Sequence, residues 1–505
     1  MSIQGIDRQT YASRRQVAVS RGTLRERVQR LLDDGYRLAL IAGHDDRARF
    51  RVVYLFTAGQ PDRRVELILT VDRDQPRIPS LAGISFPAGR FERELHDLFG
   101  IEPEGHPRPQ RLVLHQHWPV DWYPMRHDAT PDPAFGSPDE PYPFVTVEGP
   151  GVYEIPVGPV HAGLIEPGHF RFSVVGETIL KLKARLWFVH KGIEKLAEGR
   201  LLADVLPLAE RISGDTAVGH ALAFCQAVEE ARDWRVPPQA TRLRAVLLEL
   251  ERMYNLVGDI GALCNDVGYG IVNAHALRIR EQLMRLNKRV TGHRLLRGAV
   301  VPGGARVREL PDPAELSAIA ADVAEIVELA LANSVVVDRM SGTAVLGQQQ
   351  ARDIGTLGYV AKASGLQYDA RRDHPFLAET ADVEPPRHTD GDVLARFLTR
   401  ADEIQHSVQL ITRLLDGNPP TSAETSKPTW LAAHRTSGVG LVEGWRGTIA
   451  HRLEMSPDGT ITRWKIVDPS FFNWPALPVA LADTIVPDFP LTNKSFNLSY
   501  AGNDL

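Results

Sequence analysis

The sequence predicts an α+β protein: a small α/β domain at the N-terminus, followed by a mainly helical bundle with flanking β-strands. A chain of 505 residues normally divides into more than one hydrophobic core. The first ~145 residues hold short β-branched runs, whereas later segments have apolar residues every three or four positions. A stretch rich in Pro, Asp and Gly separates the two regions. We therefore predict a domain at residues 1–128, a linker at 129–150 and a second domain at 151–505.

The N-terminal domain shows strand, helix and surface patterns. Residues 52–57 alternate along the chain and residues 65–71 form a second β-branched, apolar run, so both are predicted as strands. Residues 23–35 have apolar side chains at helical spacing before a glycine, which predicts a helix. The charges at residues 92–94 alternate in sign, which is typical of an exposed face.

The second domain is predicted to be built from long helices. Its apolar residues have helical periodicity at residues 178–197, 217–233, 239–265, 276–289 and 313–332. Pro-Gly-Gly at residues 302–304 predicts a turn. Strands around residues 151–172 and 439–468 are expected to pair with each other and close the bundle. The proline content of the linker predicts a semi-rigid segment that crosses the surface.

Composition argues against several classes of protein. No run of about twenty apolar residues is present, so no membrane-spanning helix is expected. The N-terminus lacks the basic start and apolar core of a signal peptide, and the only cysteines are Cys225 and Cys264, so a cytoplasmic chain without disulfides is expected. The formal net charge of −5 gives no support for nucleic-acid binding, and no glycine-rich phosphate loop is present.

Two short polar runs have a spacing that would suit pairs of metal-binding thiolates. One is Arg211-Ile-Ser213-Gly214-Asp215-Thr216, and the other lies at residues 499–505. Small hydroxyl groups occupy positions suited to cysteine, although hydroxyls also cap backbone groups in turns. His106, His115 and His117 are close in sequence, but no cysteine accompanies them, so we do not expect a zinc site.

Several motifs in a fixed order carry a resemblance to known families. They lie at residues 154–172, 189–195, 443–447 and 468–476. Over residues 150–505 the chain resembles the large subunit of membrane-bound nickel-iron hydrogenases, of the group 4 formate hydrogenlyase and hydrogenase-4 type. It is also similar to the related quinone-site core subunit of complex I. Residues 91–107 and 121–126 resemble the small α/β core subunit of complex I, which in that family is a docking and scaffolding module.

The resemblance implies a metal site whose ligands have been replaced. In such hydrogenases two Cys-x-x-Cys pairs hold the nickel, and the matching positions here are Ser213 and Thr216, then Ser499 and Gly502. The nearby carboxylate and the terminal histidine match Asn497 and Leu505. Neutral hydroxyl oxygen is a poor ligand for low-spin nickel and iron, and glycine offers no side-chain ligand. We therefore expect no nickel-iron centre and no metal held by this chain.

Three charged residues are the catalytic candidates that the resemblance implies. Glu166 matches a buried carboxylate that relays protons, and burial in an apolar pocket would raise its pKa. Arg446 matches the arginine that approaches the diatomic ligands on iron, and Arg211 matches one near the partner's proximal cluster in complex I. Asp215 is the nearest sequence partner for Arg211. The alternative is that all three are paired structural residues.

A remodelled acceptor pocket is the second expectation. In complex I a histidine and a tyrosine hold the quinone head group, but the tyrosine position here falls on Gly214, and the histidine turn differs in length. His169 could replace that histidine, and Asp215 lies beside Gly214. A histidine next to Phe170 and Phe172 is more commonly a core residue, so both interpretations stay open.

The resemblance implies three functions from different classes. The first is a core oxidoreductase subunit that passes electrons from a partner [4Fe-4S] cluster to a quinone or other acceptor. The others are an inactive structural coupling subunit and a hydrogenase subunit of a formate hydrogenlyase. The implied partners are a small iron-sulfur subunit, a ferredoxin-like iron-sulfur subunit and antiporter-like membrane subunits, with the chain peripheral on the cytoplasmic side of the membrane. Because hydrogenases of this type are trimmed at the position of Leu505, we also expect the chain to be made already ending there.

Overall fold

The N-terminal domain is a four-stranded sheet with two helices. The computed structural model describes residues 14–136, 142–386, 388–417, 420–424 and 436–505. The sheet order is β1-β4-β3-β2, in which only the β1–β4 pair is parallel. The elements are β1 (Arg15–Val19), α1 (Arg21–Asp33), β2 (Arg37–Asp45), β3 (Arg49–Ala58), β4 (Arg63–Asp72), β5 (Arg77–Pro79), α2 (Phe86–Phe99) and β6 (Glu102–Glu104). The two strands and the helix expected here are therefore confirmed.

The second domain begins with a three-stranded antiparallel sheet, which leads into the helices. Helix α6, of 29 residues, packs against α5, α7 and α13 at the centre of the bundle. The elements up to α12 are β7 (Val152–Val157), β8 (His169–Val175), β9 (Thr178–Arg185), α3 (Ile193–Ala197), α4 (Leu202–Ala209), α5 (Ala217–Arg232), α6 (Pro238–Asp266), α7 (Gly270–Thr291), β10 (Val300–Val301), β11 (Gly304–Ala305), α8 (Pro313–Leu331), α9 (Ser334–Met340), α10 (Gln348–Ile354), α11 (Gly358–Ala363) and α12 (Ala370–Asp373).

A second antiparallel sheet and short helices complete this domain. Strand β13 lies so close to α5 that a Cβ atom at Gly440 would be 1.9 Å from the carbonyl oxygen of Ala223, so only glycine fits there. The remaining elements are α13 (Val393–Leu415), β12 (Ala423–Glu424), β13 (Ser437–Gly444), β14 (Gly447–Met455), β15 (Ile461–Val467), α14 (Pro469–Asn473), α15 (Ala476–Ala480), α16 (Phe489–Phe496) and α17 (Tyr500–Asp504). In the described ranges, none of the helices combines the length and hydropathy needed to cross a bilayer.

Three local expectations are wrong. Residues 178–197 form strand β9 and the short helix α3, because the first half of the segment pairs with β8. The strands at the two ends of the domain do not pair with each other: β7-β8-β9 and β13-β14-β15 are separate sheets. Residues 92–94 are not an exposed charged face, because Glu92 is fully buried and accepts from Ser80 Oγ at 2.6 Å, and Glu94 is also buried.

The two domains are joined through buried ion pairs. Glu66 of β4 accepts from Arg14 at 2.6 Å and from Arg452 of β14 at 2.9 Å. Glu94 of α2 pairs with Lys465 of β15 at 2.5 Å. Removing one partner of a buried pair typically costs about 3–5 kcal/mol, because the other charge is left unpaired. The N-terminal domain is therefore docked firmly beside the strands that lead to the candidate site.

The linker carries no helix or strand in its described parts. Its C-terminal portion lies over β9, where the carbonyl of Val145 accepts from Lys183 Nζ at 3.0 Å and the Arg185 guanidinium lies 4.7 Å from the centre of the Tyr142 ring. Residues 137–141 lie outside the described residues. The linker is therefore held against the second domain near β9.

Candidate functional site

The two polar runs meet at the ends of two helices. Thr216 immediately precedes α5, and Ser499 caps α17 by accepting from the Gly502 backbone N–H at 2.8 Å. The Oγ atoms of Ser213 and Ser499 are 2.8 Å apart. Ser213, Thr216, Ser499 and Gly502, which match the four cysteine positions, therefore surround one buried point.

An ion pair between Asp215 and Arg446 covers this point. Arg446 donates two hydrogen bonds to the carboxylate, at 2.9 and 2.7 Å, and a third to the carbonyl of Asn497 at 2.6 Å. Ser213 and Thr216 also donate to Asp215 Oδ1, at 2.7 and 3.0 Å. Burial alone would raise the pKa of Asp215, but the Arg446 charge and these hydrogen bonds outweigh it and lower the pKa to about 2. Asp215 is therefore ionised at neutral pH.

Arg211 does not pair with Asp215, contrary to the expectation from their proximity in sequence. Its side chain is 54% exposed and donates to the carbonyl of Pro207 at 2.6 Å, while its nearest carboxylate, Glu210, is 4.0 Å away. Asp215 instead faces Arg446, which comes from the turn between β13 and β14. Arg211 and the exposed Gly214 therefore lie at the surface beside the half-exposed Asp215.

A pair of histidines behind the site was missed from the sequence. His220, one turn into α5, lies 3.0 Å from Asp468 Oδ2 through Nε2 and 3.0 Å from His451 through Nδ1. Asp468 also accepts from the Ser470 N–H at 2.7 Å. The position of His220, four residues after Thr216 and thus on the same helix face, is the signal that could have found it.

The Asp468 carboxylate occupies the space in which a side chain at position 502 would lie. A Cβ atom built on Gly502 would be 2.6 Å from Asp468 Cγ, which is too close for any real contact. Because Asp468 is held from two sides, by His220 and by the Ser470 N–H, it cannot yield easily. This position therefore provides neither a ligand nor room for one.

Asn497 and Leu505 have structural contacts at the edge of the site. Asn497 adopts a left-handed conformation, with φ of 36°, and donates from Nδ2 to Asp259 at 2.6 Å. Burial raises the pKa of Asp259, even though Arg400 lies 2.9 Å away. The Leu505 carbonyl accepts backbone N–H groups from residues 191 and 192, at 2.8 and 3.0 Å. Neither residue provides an acidic or imidazole group to the site.

Glu166 and His169 lie outside the hydrogen-bond network of Asp215. Glu166 is exposed in the loop between β7 and β8 and accepts from the Ala501 N–H at 2.9 Å, so the expected apolar pocket around it is not present in this chain. His169 is partly buried, with Nδ1 3.2 Å from the carbonyl oxygen of Gly158 and its ring 5.6 Å from Phe144. The Nε2 atom of His169 is buried and has no partner among the described residues.

The donor atoms at the site do not fit a nickel-iron centre. The hydroxyls of Ser213, Thr216 and Ser499 are engaged with each other or with Asp215, and the charged guanidinium of Arg446 would oppose a cation. The two cysteines are elsewhere, on α5 and α6, and burial raises their thiol pKa, that of Cys264 to about 12. The described part of the chain contains no cluster of three His, Cys, Asp or Glu side chains arranged to hold a metal.

Comparison with known proteins identifies the class first. Residues 17–134 match the family described as the respiratory-chain NADH dehydrogenase 30 Kd subunit, and residues 266–504 match the 49 Kd subunit of the same enzyme. The chain is therefore a fusion of two domains of complex I type, as the sequence motifs predicted.

Curated relatives then give the narrower family. The chain is 32% identical to hydrogenase-4 component G of Escherichia coli over 493 residues, which cover 93% of this chain and 84% of that protein. It is 31% identical to formate hydrogenlyase subunit 5 of the same organism over 482 residues, which cover 92% and 84%. The chain belongs to this family of hydrogenase-related, complex I-like subunits.

A solved structure supports the same assignment. The chain is similar to part of the membrane-bound sulfane sulfur reductase, an archaeal respiratory membrane complex, with a TM-score of 0.65 and 25% identity. The match covers 70% of this chain and 99% of that one. Relatives of this chain are thus subunits of membrane-bound complexes, and the fold class predicted from the sequence is confirmed.

Proposed function

We propose that the chain is the core oxidoreductase subunit of a membrane-associated, energy-converting complex. In this proposal it receives electrons from a [4Fe-4S] cluster in a small iron-sulfur partner and passes them to a quinone or another acceptor, without a nickel-iron centre. A ferredoxin-like iron-sulfur subunit and antiporter-like membrane subunits would complete the complex, with this chain peripheral on the cytoplasmic side.

The single observation that carries this proposal is the hydrogen-bonded hydroxyl cluster around Asp215 and Arg446. Four ligand positions have changed together into a self-consistent polar site, in which every substituted hydroxyl has a partner. Half of the Asp215 carboxylate still faces outward, its side chain being 37% exposed. A site of this kind offers a fixed negative charge, two hydroxyls and a guanidinium to a polar acceptor group.

The acceptor in this proposal is an organic or sulfur compound that binds where the side chain of Asp215 reaches the surface. One relative of known structure is titled a sulfane sulfur reductase, and other members of the wider family are titled NADH-quinone oxidoreductase subunits. Arg446 and the hydroxyl of Thr216 would orient the acceptor, and the exposed carboxylate of Glu166 would supply or remove protons. Arg211 would place a positive charge toward the partner cluster.

The test uses the whole complex, purified from membranes through a tag on this chain. We expect iron without stoichiometric nickel, no hydrogen-dependent dye reduction, and reoxidation of the reduced cluster by a quinone or by polysulfide. Asp215→Asn should slow this reoxidation about tenfold or more, since tenfold needs only ~1.4 kcal/mol of barrier. Asp338→Asn, at an exposed position on α9, is the matched control and should leave the rate unchanged.

Two other outcomes would favour the other functions. About one nickel per chain together with hydrogen evolution would make the chain a hydrogenase subunit of a formate hydrogenlyase. A cluster that no acceptor reoxidises would favour the inactive coupling subunit. The observation that supports the coupling role is the closed Asp215–Arg446 pair, which leaves the guanidinium fully engaged within the chain.

A further inference from the structure

A cleft between the two domains is distinct from the site described above. It has a volume of about 390 Å³ and lies between the start of β2 and the β3–β4 turn on one side and residues 352–374 on the other. Small-molecule sites typically occupy about 300–1,000 Å³ and often lie at domain interfaces. The cleft is therefore large enough for a small ligand that touches both domains.

The cleft has an excess of positive charge. Its lining contains the guanidinium groups of Arg37, Arg352 and Arg372 but only one carboxylate, that of Asp373. Arg372 and Asp373 pair with each other at 3.1 Å. The remaining titratable residue, His374, faces Asp62 at 2.7 Å. Two arginines are therefore left without a compensating charge in the cleft.

Arg37 is the most informative of these side chains. It is partly buried, and its guanidinium lies 3.8 Å from the centre of the Tyr368 ring, but it has no hydrogen-bond or ion-pair partner among the described residues. Burial lowers the pKa of Arg37, which is the expected effect of withdrawing an unpaired cation from water. An anion bound in the cleft would remove this cost.

Arg352 has a similar lack of partners. It projects from α10, is exposed, and its side chain has no intramolecular ion pair or hydrogen bond in the described ranges. Guanidinium groups bind carboxylate and phosphate oxygens through two parallel hydrogen bonds, so a site with two free guanidiniums suits a ligand with about two negative charges.

We propose that this cleft binds a small dianionic oxyanion, a phosphate group or a dicarboxylate, held by Arg37 and Arg352. The ligand bridges the N-terminal domain to the segment that contains α12. That segment is connected to the candidate site, because the Ala370 N–H donates to Glu443 at 2.9 Å and Glu443 begins the turn that carries Arg446. Binding therefore stabilises the docking of the two domains.

The test measures the thermal stability of the full chain and its binding by calorimetry, at constant ionic strength, with inorganic phosphate and with succinate. A saturable rise in Tm beyond a chloride control is expected from one of them, and the arm that responds identifies phosphate or dicarboxylate as the source. Arg37→Met should weaken binding about tenfold or more, and Arg352→Met severalfold.

The control is Arg285→Met, because Arg285 is exposed on α7, away from the cleft, and pairs only with Glu281. It should change the affinity by less than about twofold. If Arg37→Met fails to fold, Arg352→Met decides, since its side chain has no contacts to lose. No saturable stabilisation by either anion, or equal affinity in wild type and both cleft variants, would overturn the proposal.

Discussion

Replacing Gly502 by alanine should destabilise the chain, although the position is helical. In the interior of a helix, alanine is normally favoured over glycine by about 1 kcal/mol. Here the new Cβ would lie 2.6 Å from the carboxylate carbon of Asp468, so one of the two groups must move by most of an ångström. Overpacking of this kind costs about 1–3 kcal/mol.

The contacts of Asp468 raise this cost. The carboxylate is fixed by His220 at 3.0 Å and by the Ser470 N–H at 2.7 Å. Hydrogen bonds to a charged group are worth about 1.5–3 kcal/mol, so weakening them adds to the steric term. We expect a net loss of about 2–4 kcal/mol for Gly502→Ala, after the gain in helix propensity is subtracted.

The assay is a double-mutant cycle by thermal melting, with Asp468→Ser as the second change. Serine is shorter than aspartate and still caps α14, so it removes the clash and keeps the cap. In the Asp468→Ser background, Gly502→Ala should be neutral or stabilising. Gly270→Ala, at a helical glycine with open space around its Cβ position, is the control. Equal destabilisation by Gly502→Ala in both backgrounds would refute the argument.

Three further predictions concern the charged residues around the site. The pKa of Asp215 is about 2 against an ordinary value of ~3.9, so the pair with Arg446 stabilises the protein above about pH 4 and is lost as the pH falls toward 2. With the partial exposure of Asp215 taken into account, this amounts to about 1–2 kcal/mol, and it should disappear from the pH dependence of Tm in Arg446→Met. In the assembled complex, Arg211→Met should lower the reduction potential of the neighbouring partner cluster while Arg211→Lys preserves it, and an unchanged potential in a redox titration would place Arg211 away from the cluster. Glu166→Gln should slow proton-coupled turnover with assembly intact, which rates measured against pH would show; equal rates would remove Glu166 from proton transfer.

Segments with strong periodicity were predictable from the sequence, but charge partners were not. Helix α6 has apolar residues along nearly 30 positions, and its ends lie within a residue of the expected bounds. Asp215 pairs with Arg446, 231 residues away, rather than with Arg211 nearby, because the turn before α5 directs the two neighbouring side chains apart. Only the three-dimensional arrangement of β14 and α5 could identify that partner.

The same reason explains the errors at the surface. The alternating charges at residues 92–94 are typical of a solvated helix, and nothing near them in sequence indicates that they will be covered. The partner of Glu94 is Lys465, 371 residues further along. Strand β9 was mistaken for a helix because its apolar residues satisfy both periodicities over a short length, and pairing with β8 decides between them.

The charged docking face of the N-terminal domain has a consequence during synthesis. At about 5–20 residues per second, Lys465 emerges roughly 20–80 s after Glu94, because 371 residues separate them. During that interval the domain can fold on the ribosome, while Glu66 and Glu94 remain hydrated on its open side. Charged rather than apolar groups on a waiting surface reduce the chance that it associates with other nascent chains. The buried ion pairs of the finished protein thus also serve to keep its first-made part soluble until the second is complete.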